Sequence, residues 1–169
     1  VKKKIKFIGV DLKKNKYLKN SNLKNADITN FTRIEKIFKK FKPKKIIHLA
    51  AISGVGSCQK DTKKAFKTNV IGTFNIMYLS EKYNCKKILL ASSFAASNFE
   101  KQPNYYGYTK RTLENLALTF KNNFNMNVSI LRFSNIFGPF SLHKSSSIHQ
   151  IIKSNIKQSI FKIHGSGLQ

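Results

Sequence analysis

Short β-prone apolar runs alternate with stretches of helical spacing along almost the whole sequence, and this alternation limits the fold more than any other feature. The runs are Ile5–Val10, Lys45–Ala51, Lys87–Ser92 and Val128–Arg132. Between the first two, Asn25–Asn30 reads as a short strand and turn. Thr32 with Glu35 then reads as a capping box before a helix whose apolar face is Ile34, Ile37, Phe38 and Phe41, stopped by Pro43. A longer helical stretch carries Phe66, Val70, Phe74 and Met77 inward, with Asn69 among them, and Gly54, Val55 and Gly56 precede it as a loop. Leu113, Leu116, Ala117, Phe120 and Phe124 mark the next helix, and Ile148, Ile151, Ile152 and Ile156 mark the last, before a short strand at Phe161–Ile163. Strands alternating with helices of this length predict an α/β fold, a parallel sheet with right-handed crossovers and helices on both faces.

Composition removes several classes. The chain has 169 residues, 41% of them hydrophobic, which suits about one domain with its own core. No run approaches the ~20 apolar residues of a membrane span, and the apolar stretch after Val1-Lys2-Lys3-Lys4 is too short for a signal peptide, so a soluble, cytoplasmic chain is expected. Cys58 and Cys85 form no Cys-x-x-Cys and have no histidine at ligand spacing, which fits reduced structural thiols and no metal. The formal charge of +25 invites a nucleic-acid reading. The lysines are spread along the chain, however, amid abundant Asn, Ile and Phe, and the aromatics occupy apolar positions instead of forming a stacking platform. A nucleic-acid partner is therefore not expected.

Chemistry concentrates where the runs end. Tyr106 and Lys110 lie four apart at the mouth of a predicted helix, hence on one face, where an ammonium can act on a phenol. Running a tyrosine as a base near neutral pH asks for a shift of ~3 units from ~10, roughly 4 kcal/mol, and a close lysine is expected to supply much of it. Ala91-Ser92-Ser93 closes one run upstream and Leu131–Pro139 closes another downstream. Asp11 ends the first run, where an acid can accept both hydroxyls of an adenosine ribose. Leu49, Ala50 and Ala51 end the second, and small side chains there let a flat ligand approach the backbone. His48, between Ile47 and Leu49, reads as a satisfied core histidine.

Taken in order, Gly9-Val10-Asp11, Ala26-Asp27-Ile28-Thr29, His48-Leu49-Ala50-Ala51, Asn69–Thr73, Ala91-Ser92-Ser93, Tyr106–Lys110, Leu131–Pro139 and His164–Gln169 resemble the extended short-chain dehydrogenase/reductase family, in its NAD-dependent epimerase/dehydratase branch acting on nucleotide sugars. The resemblance implies a Rossmann-like doubly wound parallel sheet that binds NAD. It implies that Asp11 holds the adenosine ribose, that Asp27 and Ile28 flank the adenine, and that Leu49, Ala50 and Ala51 line the cofactor cleft. Asn69, Ser134, Tyr106 and Lys110 complete the cofactor contacts. Ser93 would bond the substrate hydroxyl, Tyr106 would take its proton as hydride leaves for the nicotinamide, and Asn135 would lie near the sugar nucleotide's phosphate. A homodimer is implied for the full-length protein.

The sequence departs from that family pattern in two places. It begins at Val1 in what looks like the second strand, without the first strand and Gly-x-x-Gly-x-x-Gly turn, and Gly165–Gln169 looks like a motif that leads into more of the substrate lobe. Residues 1–140 are thus expected to be a partial NAD-binding domain, with a gap beside the strand at Ile46, and 141–169 the start of the substrate-binding region. Between Ser93 and Tyr106 stand Ser97-Asn98 and a short Phe99–Pro103 where the family has a Tyr-Gly pair and a longer loop, which leaves Ser92 as an alternative to Ser93. The implied activity is nucleotide-sugar epimerisation, at C4 of a UDP- or dTDP-sugar. A 4,6-dehydratase or reductase is the alternative, although Phe94 and Ala95 stand where dehydratases carry an acidic pair. A noncatalytic dinucleotide- or RNA-binding relative is the second alternative.

Overall fold

A computed structural model of the chain describes residues 6–13, 22–97, 103–138 and 147–161. The chain divides into two compact units, Val1–Arg132 and Phe133–Gln169. In the first, β1 (Gly9–Asp11) and β2 (Leu23–Asn25) form a parallel pair. Then come α1 (Phe31–Phe41), β3 (Lys45–His48), α2 (Val55–Lys60), α3 (Thr62–Phe66), one π-helical turn (Lys67–Ile71) and α4 (Gly72–Lys82). They are followed by β4 (Lys87–Ser93), a 3-10 turn at Phe94–Ala96, α5 (Tyr105–Phe124) and β5 (Val128–Phe133). β3 and β4 pair in parallel, Ile46 opposite Ile88 and His48 opposite Leu90, and β5 is hydrogen-bonded along the other side of β4. The described strands thus form two sheets, β1–β2 and β3–β4–β5. In the second unit α6 runs over Ser147–Ile156, and Ile151, Ile152 and Ile156 are exposed.

Two apolar clusters hold the first unit. One packs Ile88 and Leu90 of β4 on Met77, Leu113, Ala117 and Phe120, and the other packs Ala26 and Ile28 on Ile34, Phe38, Ile76 and Leu79. α4 serves both, with Met77 in one cluster and Ile76 and Leu79 in the other, and this explains why it is buried almost all round. Its buried hydroxyls are satisfied locally: Thr73 and Ser80 each donate to the carbonyl four residues back, Asn69 and Ile76, at 2.6 Å. Gly72 lets the Ile28 turn come close, since a Cβ there would sit 2.5 Å from Ile28 Cδ1, and Asn75 Nδ2 donates to the Ile28 carbonyl at 2.9 Å.

Several local expectations change. Within the described part of the first run, residues 6–8 are not strand and the strand runs Gly9–Asp11, and the next strand is over by Asn25. Asn30, not Thr32, caps α1 by accepting from Arg33 N–H at 3.0 Å, because asparagine caps better than threonine. Glu35 reaches across to Lys82 Nζ (2.8 Å) and the Tyr83 hydroxyl (3.1 Å) instead of back to the cap. The Gly54–Gly56 stretch starts α2, so it is not a loop. Phe74 is exposed: the π turn adds a residue and rotates the register, so Asn69, Val70 and Thr73 point inward. Phe124 is also exposed and lies against Phe120 with ring centroids 5.2 Å apart. Phe161 is not in a strand, and Lys162 to Gln169 lie outside the described residues.

Candidate active site

The site is built on the seam between the carboxyl end of β4 and the first turns of α5. Asn104 caps α5, its Oδ1 accepting from Gly107 N–H at 2.8 Å. A Cβ at Gly107 would lie 2.6 Å from the Ala95 carbonyl oxygen, so glycine is what lets the turn after Ser93 pack onto the helix start. This close approach brings the Ser93 hydroxyl to face the Tyr106 phenol, which it pulls down in pKa. Ser93 Oγ also accepts from Ala95 N–H at 3.3 Å. Ser92, 4% exposed, points the opposite way along the strand and donates to Glu114 Oε1 at 2.5 Å. Of the two serines, Ser93 is the one that faces Tyr106.

Lys110 lies one turn beyond Tyr106 with its Nζ 5.9 Å from the Tyr106 ring centroid, and it donates to the Ala91 carbonyl at 2.9 Å. Burial pushes its ammonium down to about 8, against small upward pulls from Cys58 and Glu114. The Tyr106 phenol is raised above its ordinary value, chiefly by burial and against the downward pull of the Ser93 hydroxyl. The expected lowering of Tyr106 by Lys110 is therefore not what this geometry does. Spacing places the two groups on one face, but burial dominates the phenol and the lysine donates to the strand carbonyl instead.

Asn69 is fully enclosed. Its Oδ1 accepts from Ile52 N–H at 2.8 Å, and its Nδ2 donates to the Ile52 carbonyl and to Thr109 Oγ1, both at 3.0 Å. It acts on the loop after β3 and on α5, and has no exposed atom to offer a ligand. His48 is buried with Nε2 3.0 Å from Thr73 Oγ1, and burial, reinforced by Lys110, pushes it down to about 4. It is a neutral core histidine, as its apolar flanks suggest.

The other sequence candidates are placed as follows. Asp11 ends β1, exposed, with Oδ1 accepting from Lys13 N–H at 2.8 Å. Asp27 is half-buried, accepts from Thr29 N–H at 2.8 Å, and precedes Ile28, whose side chain is packed against Gly72. Leu49 and Ala50 are exposed and Ala51 half-buried just past β3. Ser134 and Asn135, both exposed, belong to the second unit. Among the described residues no group of His, Cys, Asp or Glu could hold a metal ion, and no helix is long and apolar enough to cross a membrane. Sequence reasoning missed Glu114, Arg132, Thr109 and Gly107. The available signal was Glu114 itself, a carboxylate between Leu113 and Ala117 on a buried stripe, in a chain with only seven acidic residues.

Residues 1–169 match the model of the NAD dependent epimerase/dehydratase family. A UDP-glucuronate 4-epimerase of Thermodesulfobacterium geofontis is 29% identical over 92% of this chain and 52% of its own length. A bifunctional UDP-glucose and UDP-xylose 4-epimerase of Pisum sativum is 30% identical over 73% of this chain and 38% of its own. The chain thus spans about half the length, or less, of these relatives. The crystal structure of a UDP-glucose 4-epimerase from Thermotoga maritima with UDP-glucose superposes on 95% of this chain and 58% of that one, with a TM-score of 0.83 and 24% identity, and so shares its Rossmann-type fold.

Proposed function

The chain belongs to the NAD dependent epimerase/dehydratase family, and from that premise we propose that it carries the catalytic part of a nucleotide-sugar 4-epimerase acting on a UDP-sugar. The observation that carries the reading is the seam itself: Gly107 packs against the turn after Ser93, so Ser93 faces Tyr106, with Lys110 one turn away. Two hydroxyls that meet at a strand end can both reach one carbinol, and a buried cation beside them can favour an oxyanion. Ser93 bonds the substrate hydroxyl and Tyr106 takes its proton, then returns one when the ketone is reduced from the other side. Burial raises the phenol, so Tyr106 rests protonated near neutral pH, and Lys110, one turn away, is the buried cation placed to favour an oxyanion formed as the proton moves.

The residues present fit NAD: an exposed carboxylate at the end of β1 and small side chains after β3 lie where dinucleotides bind parallel sheets. Asp11 would hold the adenosine ribose, Asp27 and Ile28 the adenine, and Leu49, Ala50 and Ala51 the cleft wall, with Lys110 at the nicotinamide ribose and Ser134 a further cofactor contact. When bound, NAD supplies a reversible hydride acceptor. Asn69 serves this set by fixing Ile52 and Thr109. Asn135 contacts the nucleotide's phosphate. Residues 1–140 are the cofactor-binding part, and the substrate-binding region begins at residue 141.

A homodimer is proposed through the exposed aromatics Phe74 and Tyr78 of α4 and Phe124 of α5, where Phe74 stacks on Tyr78 and meets the buried Phe120 edge-on. The protein works in the cytoplasm, and its lysines are solvated surface instead of a nucleic-acid site. Phe94 and Ala95 after Ser93 offer no acid for elimination, which favours epimerisation over dehydration. The test is a proton NMR time course with the protein from its complete reading frame, NAD and a panel of UDP-sugars. Interconversion of 4-epimers without net cofactor reduction is expected. A dehydrated 4-keto product, stoichiometric reduced cofactor, or no turnover of any UDP-sugar would overturn the reading.

A further inference from the structure

We infer that Glu114 is a positioning residue for the proposed reaction: through Ser92 and Arg132 it fixes the end of β4 so that Ser93 is presented to Tyr106. The inference rests on the epimerase reading for its catalytic consequence but not for its geometry. Glu114 is 3% exposed and lies four residues beyond Lys110, as Lys110 lies four beyond Tyr106, so the three share one stripe of α5. They attach to three consecutive residues of β4. Tyr106 faces the Ser93 side chain, Lys110 donates to the Ala91 carbonyl, and Glu114 accepts from the Ser92 hydroxyl. Arg132 of β5 closes the cluster with a two-pronged contact, Nε to Oε1 at 2.9 Å and Nη2 to Oε2 at 2.7 Å, and Arg111 Nη1 stands 3.8 Å from Oε2.

A carboxylate in this place is costly. Its neighbours on the stripe, Leu113 and Ala117, are core residues, and the carboxylate gives up its water although its partner Arg132 stays largely exposed. What the charge adds is direction. Neighbouring side chains on a strand point to opposite faces, so fixing the Ser92 hydroxyl sets the rotation of the strand end and hence where Ser93 points. The contacts of Ser93 itself, a 3.3 Å bond from Ala95 N–H and the Tyr106 phenol, do not reach back into the sheet. Burial pushes the Glu114 carboxyl up, but Arg132 and Ser92 more than offset it and keep the group ionised in the acceptor form the arrangement needs.

Ser92→Ala is the discriminating variant, because it cuts the link to β4 while leaving the Glu114–Arg132 pair in place. Two readouts are compared with wild type and with Glu114→Gln. The first is steady-state kinetics of the protein from its complete reading frame on UDP-glucose: kcat falls on the order of ten- to a hundred-fold while KM stays within about two-fold, as a misplaced reacting group requires. The second needs no activity. The ultraviolet titration of Tyr106, isolated by subtracting the Tyr106→Phe spectrum, moves to higher pH in Ser92→Ala as it does in Ser93→Ala, because the Ser93 hydroxyl that lowers the phenol is turned away or removed. If Ser93→Ala moves the Tyr106 titration and Ser92→Ala does not, the positioning role is wrong, whatever the enzyme turns over. A wild-type protein inactive on UDP-sugars whose Tyr106 titration still responds to Ser92→Ala would remove the epimerase reading and keep the role of Glu114. A fall in thermal stability with unchanged kcat and unchanged titration would make the cluster purely structural and overturn the inference.

Discussion

The seam between β4 and α5 and the packing of β3 on α4 both bury polar side chains, but one is held charged and the other neutral. On the seam, Glu114 is neutralised by Arg132 and Ser92, and Lys110 is bonded only to a backbone carbonyl. Between β3 and α4, His48, Thr73 and Asn69 pass hydrogen bonds along a neutral chain that ends on Ile52 and Thr109. A neutral network with every member paired fixes geometry at little electrostatic cost, whereas an imperfectly paired buried ammonium costs stability and is retained for what its charge does. Breaking each in turn should separate structure from chemistry.

The largest effect is expected at Lys110. With a folded-state value of about 8 against an ordinary 10.5, the folded protein holds this proton less tightly than the unfolded chain does. Stability should therefore rise as pH climbs from about 8 to 10.5, and at neutral pH the buried charge costs about 3 kcal/mol. Lys110→Met should stabilise the protein by about 1 to 3 kcal/mol in urea unfolding, the lost bond to Ala91 offsetting part of the gain, while turnover drops by about two orders of magnitude or more. A destabilised variant with intact turnover would make the lysine a structural group.

His48 gives the next effect, with the opposite pH window. Its folded value of about 4 lies below the ordinary 6.5, so unfolding takes up a proton in between. The histidine's contribution is complete above about pH 6.5 and is lost as pH falls toward 4, a loss of about 3 kcal/mol. Urea midpoints across that range should show this slope in the wild type and a shallower one in His48→Gln. Equal slopes would mean that His48 is not the neutral member of this network.

Much of this arrangement was legible in the sequence, for identifiable reasons. Strand ends and helix faces are periodic, so the positions of Ser93, Tyr106 and Lys110 followed from spacing, as did the neutral His48 from its flanks. Three features were not legible. The π turn at Lys67–Ile71 changes register by one residue without changing composition, so helical spacing puts Phe74 on the wrong face. Asn30 outcompeted a well-formed Thr32–Glu35 capping pattern because Glu35 found Lys82, 47 residues away. The direction of the Tyr106 shift depends on how much water its hydroxyl loses, which is a property of packing that spacing does not encode.

The most direct test of the catalytic seam is Tyr106→Phe in the protein from its complete reading frame, with kcat on UDP-glucose and the NAD dissociation constant measured on the same preparation. The variant removes one oxygen, so NAD affinity should stay within about two-fold while kcat falls by about two to four orders of magnitude. Turnover within about ten-fold of wild type, or loss of NAD binding in step with turnover, would contradict the assignment of Tyr106 as the group that moves the substrate proton.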